Sequence, residues 1–408
     1  MPVKKIELGL EGLLKSAKLK KELKARRVGL VGHPASVDHS LKHSLDLLVE
    51  AGVNVTCAFG PQHGMRGEKQ DNMIESANFI DARHRIPIFS LYGEVRRPTA
   101  KMLEHCDLIL FDLQDVGCRI YTFLTTLFYV LEDCAKAGKA VWVLDRPNPA
   151  GRVVEGTTLD SQFFSFVGGA EIVMRHGLTL GEAGQWYIEH RGLEVEYHVV
   201  EMKNYKPARG PTFGWPAGDL SWVNPSPNMP QLSTARMYAG TVLIEGTRLS
   251  EGRGTTRPLE LLGAPGLDGE MLVARIQKMI PQHLKGVSLR PCFFEPTFQK
   301  HKGALCSGFQ IHIDQVVGAS AYRHEAFRPY RIVAAAFKAV RELRPDFDLW
   351  LPPPYEYEKV KMPIDILSGD SRLRQWVDDP ASRWGDFEKI LARDEKAWAK
   401  TARQFYLY

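Results

Sequence analysis

The stretch "DLILFDLQDVGCRIYTFLTTLFYVLEDCAKAGKAVWVLD", residues 107–145, decides the reading of the fold. Its ends, "DLILFDL" (107–113) and "AVWVLD" (140–145), are apolar runs without polar alternation, as strands buried on both faces require. Between them "IYTFLTTLFYVLEDCAKAG" (120–138) spaces apolar residues by three and four and stops at Gly138, which predicts a helix. A strand, a helix and a strand in that order form a parallel crossover unit. Three similar runs precede it: "RVGLVG" (27–32), "VNVTCAFG" (53–60) and "IPIFSLYG" (86–93). "SLKHSLDLLVEAG" (40–52) reads as another helix, closed by Gly52. The expected fold class is α/β: a Rossmann-like, mostly parallel sheet domain with a second, smaller α+β domain.

The chain has 408 residues, more than one compact core usually organises, so two domains are expected. Residues 1–262 form the expected Rossmann-like catalytic or sugar-binding domain, and residues 263–408 the C-terminal α+β domain. "GAPGLDG" (263–269) reads as their junction, and "EVEYHVVEM" (194–202) as a further strand. Beyond the junction, "EMLVARIQKMI" reads as helix, "VSLRPCFFEPTF" and "CSGFQIHI" as strands, and "EAFRPYRIVAAAFKAVREL" as a long amphipathic helix. Apolar content of 44% and charged content of 25% are those of a globular chain, which sets aside disorder, collagen and coiled coil. The net charge of +5 is small, and part of it sits in "KSAKLKKELKARR" (15–27). That run has no interleaved aromatics and reads as a solvated helix face, so no nucleic-acid partner is expected. No apolar stretch is long enough to span a bilayer, and the N-terminus shows neither an apolar core nor a cleavage site. No membrane insertion and a cytoplasmic location are the expectations.

Ligands of open α/β sheets bind beyond the carboxyl ends of the strands, so the residues after each run belong together. They are "HPASVD" (33–38), "PQHGMRGEKQDN" (61–72), "EVRRPT" (94–99), "QDVGCRIYT" (114–122) and "RPNPAGR" (146–152). In the second, Gly60, Pro61 and Gly64 bend the chain around Gln62 and His63, and Arg66 and Glu68 follow. In the fourth, Asp115, Arg119 and Tyr121 stand just before a helix; capping would explain Asp115 alone, but not the whole cluster with Asp112. Asp145, Arg146 and Asn148 lie among prolines, and a site and a turn are both open readings. In "WVNPSPNMP" (222–230), Asn224 and Asn228 are spaced by prolines near Trp222. Amides beside an aromatic face suit a sugar, although a solvated Pro loop would read the same. "EGTRLSEGRGTTRP" (245–258) gathers Glu245, Glu251, Arg253 and Arg257 around glycines that permit close backbone approach; surface ion pairing is the other reading. There is no GxGxxG, GxxxxGK[ST], HExxH or GxSxG, and the histidines lack metal spacing. No cofactor and no metal are expected.

Several of these stretches occur in a characteristic order: "GPQHGMRG" (60–67), "DLQDVGCRIYT" (112–122), "DRPNP" (145–149), "VEG" (154–156), "RHGLT" (175–179), "PSPNMP" (225–230) and "EGTRLSEGRGTTRP" (245–258). Together they resemble the bacterial exo-acting β-N-acetylmuramidases, long classed only as a domain of unknown function. "YEKVKMPIDILSGDSRLR" (357–374) is similar to that family's closing motif in a loosened form. The resemblance covers nearly the whole chain. It implies a Rossmann-like domain carrying the site, a smaller C-terminal domain shaping the cleft, and release of N-acetylmuramic acid from non-reducing ends of peptidoglycan fragments without metal or nucleotide.

The resemblance also marks a departure. The family's loop usually reads Gly-Pro-Glu-His-Gly, and its glutamate is the leading candidate for a catalytic carboxylate; this chain has Gln62 there. Glycoside hydrolysis ordinarily uses two carboxyl groups, and an amide cannot act as general acid. Proton transfer is therefore expected from Glu251 with Asp115 or His63. Substrate binding is expected from Gln62, Arg66, Glu68, Arg119, Tyr121, Asp145, Arg146, Asn148, His176, Asn224, Asn228, Glu245, Arg253 and Arg257. The arginines suit an anionic ligand such as the lactyl carboxylate of N-acetylmuramic acid. The expected function is exo-acting hydrolysis at N-acetylmuramic acid or a related acidic amino sugar. The alternative is a receptor that binds the sugar or muropeptide without cleaving it.

Overall fold

The computed structural model describes residues 5–67, 69, 74–208, 214–216, 218–313, 324–356 and 358–408. In chain order the first strands are β1 (Val28–Val31), β2 (Val55–Gly60), β3 (Phe79–Ile80), β4 (Pro87–Ser90), β5 (Leu108–Phe111) and β6 (Ala140–Leu144). A short ribbon, β7 (Glu155–Thr158) and β8 (Val173–Arg175), precedes β9 (Tyr197–Val200). The main sheet has the order β3-β4-β2-β1-β5-β6-β9 and is parallel except for the edge strand β3. Each of the five apolar runs supplies one of its strands. Leu30 of β1 aligns with Ala58 of β2 on one side and Leu110 of β5 on the other. Strands β1, β5 and β6 are buried along their whole length, which is why their sequences do not alternate.

The helix Phe123–Ala137 connects β5 to β6 and ends at Gly138, whose φ of 62° is a left-handed C-terminal cap. Thr179 opens the helix Leu180–Arg191 through a reciprocal pair with Glu182: the Glu182 amide donates to Thr179 Oγ1 at 3.3 Å, and the Thr179 amide to Glu182 Oε2 at 2.9 Å.

The second sheet is antiparallel, with β10 (Leu261–Ala264), β11 (Ser288–Phe294) and β12 (Cys306–His312) in the order β10-β12-β11. Strand β10 runs across position 262/263, so residues on both sides of the expected junction belong to it. The helix Pro329–Leu343 packs against the helix Leu232–Thr241 at Gly240, where a Cβ would lie 2.1 Å from the Pro329 carbonyl oxygen. One apolar core runs from Phe111 and Leu127 through Val242 to Phe337 and Leu391. Each such side chain contributes about 1.5–3 kcal/mol on leaving water. The helix Trp384–Ala402 returns to the ribbon, where Glu395 accepts from the Gly156 amide at 2.9 Å and Asp394 from the Thr158 amide at 3.2 Å. Among the described residues no helix is long and apolar enough to cross a membrane.

Candidate active site

Chain order reverses between β1 and β5: β2 and β4 lie on one side, β6 and β9 on the other. The loops leaving β1 and β5 diverge there and open a crevice. Its base is locked by a buried ion pair. Asp112, just past β5, binds Arg146 through Nε–Oδ1 at 2.5 Å and Nη2–Oδ2 at 3.0 Å, and Arg146 Nη1 donates to the Val37 carbonyl at 2.9 Å. Arg146, expected to bind substrate, thus ties three strand-end loops together.

One pocket gathers side chains from widely separated parts of the chain. Gln62 and His63 come from the loop after β2, and Tyr121 and Thr122 from the segment after β5. Ser226 and Met229 come from the Pro-rich loop, Tyr238 from the helix Leu232–Thr241, Glu245 and Arg253 from the 245–258 stretch, and Tyr355 and Glu356 from the C-terminal part. The Thr122 hydroxyl donates to Gln62 Oε1 at 2.7 Å, which leaves the amide NH2 to the pocket. His63 adopts a left-handed φ of 70° and is buried. Its Nδ1 lies 3.1 Å from the Lys69 carbonyl, so Nδ1 carries the hydrogen and Nε2 the lone pair. Burial pushes the imidazole down to about 4, despite the Lys69 carbonyl and with help from Arg253, so the ring is neutral.

Two carboxyl groups share this pocket in unlike surroundings. Glu245 Oε1 accepts from Arg253 Nη2 at 2.6 Å, and Oε2 from the Tyr355 hydroxyl at 3.0 Å. Glu356 has a left-handed φ of 50° and lies 3.4 Å from the Tyr92 hydroxyl. Burial, reinforced by the charge of Glu245 and opposed by Arg96 and Tyr92, raises its carboxyl to about 7. Arg253 is buried, and its Nη1 has no hydrogen-bond partner among the described residues.

Other expected residues lie elsewhere. Glu251 is buried, 2.9 Å from Lys300 Nζ and 3.1 Å from Arg253 Nε. Burial raises its carboxyl, but Lys300 and Arg253 outweigh it and hold the group below the usual range. Asp115 accepts from the Gly117 amide at 2.7 Å and lies 3.7 Å from His176 Nε2, both inside the fold. Arg119 is fully enclosed and donates to the carbonyls of Thr157, Ile172 and Leu367 at 2.7 to 2.9 Å. Asp145 accepts from Thr179, Gly181 and Tyr408, capping a helix. Asn148 bridges the Ala150 amide and the Leu178 carbonyl, the turn reading of its motif. Asn228 is buried, and Arg257 pairs with Glu260 at 3.4 Å. At these positions the side chains are engaged by other groups of the chain. Glu68 lies outside the described residues.

Arg66 and Asn224 line a second, open groove of about 440 Å³ with His33 and Trp222. Tyr238, Tyr355 and Glu356 are not expected there from the sequence, and His33 and Thr122 fall within the strand-end stretches 33–38 and 114–122 without being singled out. For Glu356 a signal existed: "PPPYEYE" (352–358) sets acids and tyrosines behind a rigid proline run, immediately before the closing motif.

The N-terminal model of exo-beta-N-acetylmuramidase NamZ matches residues 28–233, and the C-terminal model residues 236–408. The peptidoglycan beta-N-acetylmuramidase NamZ of Bacillus subtilis (strain 168) is 35% identical over 99% of this chain and 92% of its own length. A DUF1343 family protein from Bacteroides fragilis, solved as a crystal structure, superposes with a TM-score of 0.84 at 28% identity over 99% of both chains. A second from the same organism shares the fold, with a TM-score of 0.75 at 24% identity over 99% of both chains. With both halves matched and a 35% identical relative aligned over 99% of this chain, the chain belongs to the exo-β-N-acetylmuramidase NamZ family, a family of glycosidases.

Proposed function

We propose that this protein is an exo-acting glycosidase that removes N-acetylmuramic acid, or a related acidic amino sugar, from peptidoglycan fragments. The observation that carries the reading is the pairing of Glu245 and Glu356 in one pocket with opposite surroundings. Carboxyl groups whose environments differ in this way divide the roles of acid and base. Glu356 holds a proton near neutral pH and serves as general acid to the leaving oxygen. Glu245, fixed by Arg253 and Tyr355, faces the developing positive charge or orients the acetamido group as internal nucleophile. Gln62 donates to the acetamide or lactyl oxygens, neutral His63 accepts from a hydroxyl through Nε2, and Arg253 Nη1 takes the lactyl carboxylate. Tyr121 and Ser226 shape the wall. The ligand is a small sugar or muropeptide.

The test is turnover of a chromogenic β-N-acetylmuraminide by wild type and Glu356→Gln. Loss of about 100-fold or more in kcat fits an acid catalyst; an unaffected rate removes Glu356 from the reaction. Gln62 favours a second reading, a receptor that binds without cleaving. Saturable calorimetric binding of N-acetylmuramic acid, with no turnover by wild type and turnover by Gln62→Glu, would select it.

A further inference from the structure

The strand-end stretch after β4, "EVRRPT" (94–99), contributes no side chain to the pocket lining. Arg96 links it to the site all the same. Its guanidinium donates to the carbonyls of Gly93 and Val95, and to Glu75 Oε1 at 3.1 Å. These bonds hold the cation over the Tyr92 ring, with Cζ 4.1 Å from the centroid. The Phe166 ring lies 5.6 Å from the same tyrosine and 5.9 Å from Arg96 Cζ. The main chain of Tyr92 is tied as well: its amide donates to Ser90 Oγ at 3.1 Å, and its carbonyl accepts from the Ser76 amide at 2.8 Å. Tyr92 is fully enclosed, so ring and backbone together fix where its phenol oxygen stands.

That oxygen lies 3.4 Å from Glu356 Oε2, a contact between the loop after β4 and the C-terminal part. The bond is long, as catalytic hydrogen bonds often are until substrate binds. A protonated carboxyl has one oxygen that carries the hydrogen and one that only accepts. Donation from Tyr92 makes Oε2 the acceptor and leaves the proton to Oε1. The Arg96 charge on the face of the ring polarises the phenol toward donation. When Oε1 has given its proton to the leaving oxygen, the same two groups meet the carboxylate that remains. Both favour the ionised form of Glu356, against burial and the charge of Glu245. His63, Tyr121, Tyr238, Glu245, Arg253 and Tyr355 line the pocket with Glu356, whereas Tyr92 and Arg96 are not among the described lining residues. They act on the acid without touching what the pocket holds.

We propose that Tyr92, held by Arg96 and Phe166, is a positioning residue for the acid: it anchors Oε2 of Glu356 and so selects Oε1 as the oxygen that delivers the proton. The proposal deepens, and rests on, the glycosidase reading with Glu356 as its acid. The experiment is the pH profile of kcat and kcat/KM on an aryl β-N-acetylmuraminide for wild type, Tyr92→Phe, Arg96→Met and Arg96→Lys. Phenylalanine keeps the ring that Arg96 and Phe166 cover and removes only the hydroxyl. In Tyr92→Phe, kcat is expected to fall about tenfold with little change in KM, because the acid loses its orientation. The alkaline limb should also move to higher pH by about half a unit, because the ionised form loses a hydrogen bond. Arg96→Met should move the limb the same way, and Arg96→Lys, which keeps the charge, should leave it near the wild-type position; this pair decides the matter if Tyr92→Phe does not fold. A merely structural role would lower the melting point or the rate and leave the limb where it is. A limb unmoved in Tyr92→Phe, with turnover abolished in Glu356→Gln, overturns the positioning role and leaves the acid intact. Full turnover by Glu356→Gln removes the acid itself, and the proposal falls with it.

Discussion

The Thr122 hydroxyl donates to Gln62 Oε1 at 2.7 Å, and this bond decides which end of the Gln62 amide faces the pocket. Thr122 is itself fixed at the start of the helix Phe123–Ala137, where its carbonyl accepts from the Thr126 hydroxyl at 2.8 Å. Thr122→Val keeps the shape and removes the donor. The amide is then free to rotate, and its oxygen loses a partner at a cost of about 1–3 kcal/mol if it stays buried. The expected result is a fall of about tenfold in kcat/KM on a muraminide, with the thermal midpoint moved by only a few degrees. Kinetics and a melting curve on the same preparation check it. Unchanged kinetics would mean that the amide's orientation does not matter.

The pH dependence follows from the two carboxyl groups. Glu356 is protonated below about 7, chiefly because of burial and secondly because of Glu245. A general acid acts in its protonated form, so the rate should fall as pH rises through about 7. Glu245→Gln removes the second cause and leaves the first. The alkaline limb of kcat/KM should therefore move to lower pH in that variant, whatever happens to its height. A limb that stays in place in Glu245→Gln would show that another group titrates there.

Much of the fold was legible because five strands are buried on both faces, and unbroken Val, Ile, Leu and Phe runs have few other uses in a chain of this length. The strand-end argument also groups Gln62, His63 and Tyr121, which line one pocket. Arg119, Asp145 and Asn148 are instead bound by groups of the chain itself, because strand-end positions that can bring side chains to a ligand also cap helices and tie loops. Sequence shows a residue's chemistry but not whether a carbonyl or amide of the same chain already satisfies it. Glu356 was hidden for a different reason: it reaches the pocket from nearly three hundred positions after Gln62, through the packing of the C-terminal part. Such contacts leave no local periodicity.

Lys300 makes a prediction about the architecture of the site. Its Nζ donates to the carbonyls of Ile244 and Leu249 at 2.8 and 3.0 Å and to Glu251 at 2.9 Å. Glu251 in turn holds Arg253, and Arg253 holds Glu245. Lys300→Met leaves a buried carboxylate with one cation fewer, and breaking such pairs costs about 3–5 kcal/mol. Urea unfolding should show a loss toward the lower end of that range, because the Lys300 side chain is not fully enclosed. Activity should fall further than stability alone explains, since Arg253 loses its brace. A variant as stable and as active as wild type would show the chain of charges to be ornamental.

Asp145 links the pH to the stability of the whole fold. The group is fully enclosed, and burial raises its carboxyl to about 7, with Glu182 adding to the rise and Thr179, Gly181 and Tyr408 opposing it. An unfolded aspartate titrates near 3.9. Between about 4 and 7 the folded chain keeps a proton that the unfolded chain has already released. The folded state binds more protons there, so stability declines as pH rises through that window and levels off above it. The full span is of the order of 4 kcal/mol, because each tenfold difference in proton affinity between the two states corresponds to about 1.4 kcal/mol. Asp145→Asn keeps an oxygen to accept from the Gly181 amide and carries no charge at any pH. Its unfolding free energy should therefore change less between pH 5 and 8 than that of wild type. At pH 8 the variant should match or exceed wild type. Parallel curves for the two proteins would mean that Asp145 is already ionised in the folded chain at pH 5, with Thr179, Gly181 and Tyr408 together outweighing its burial.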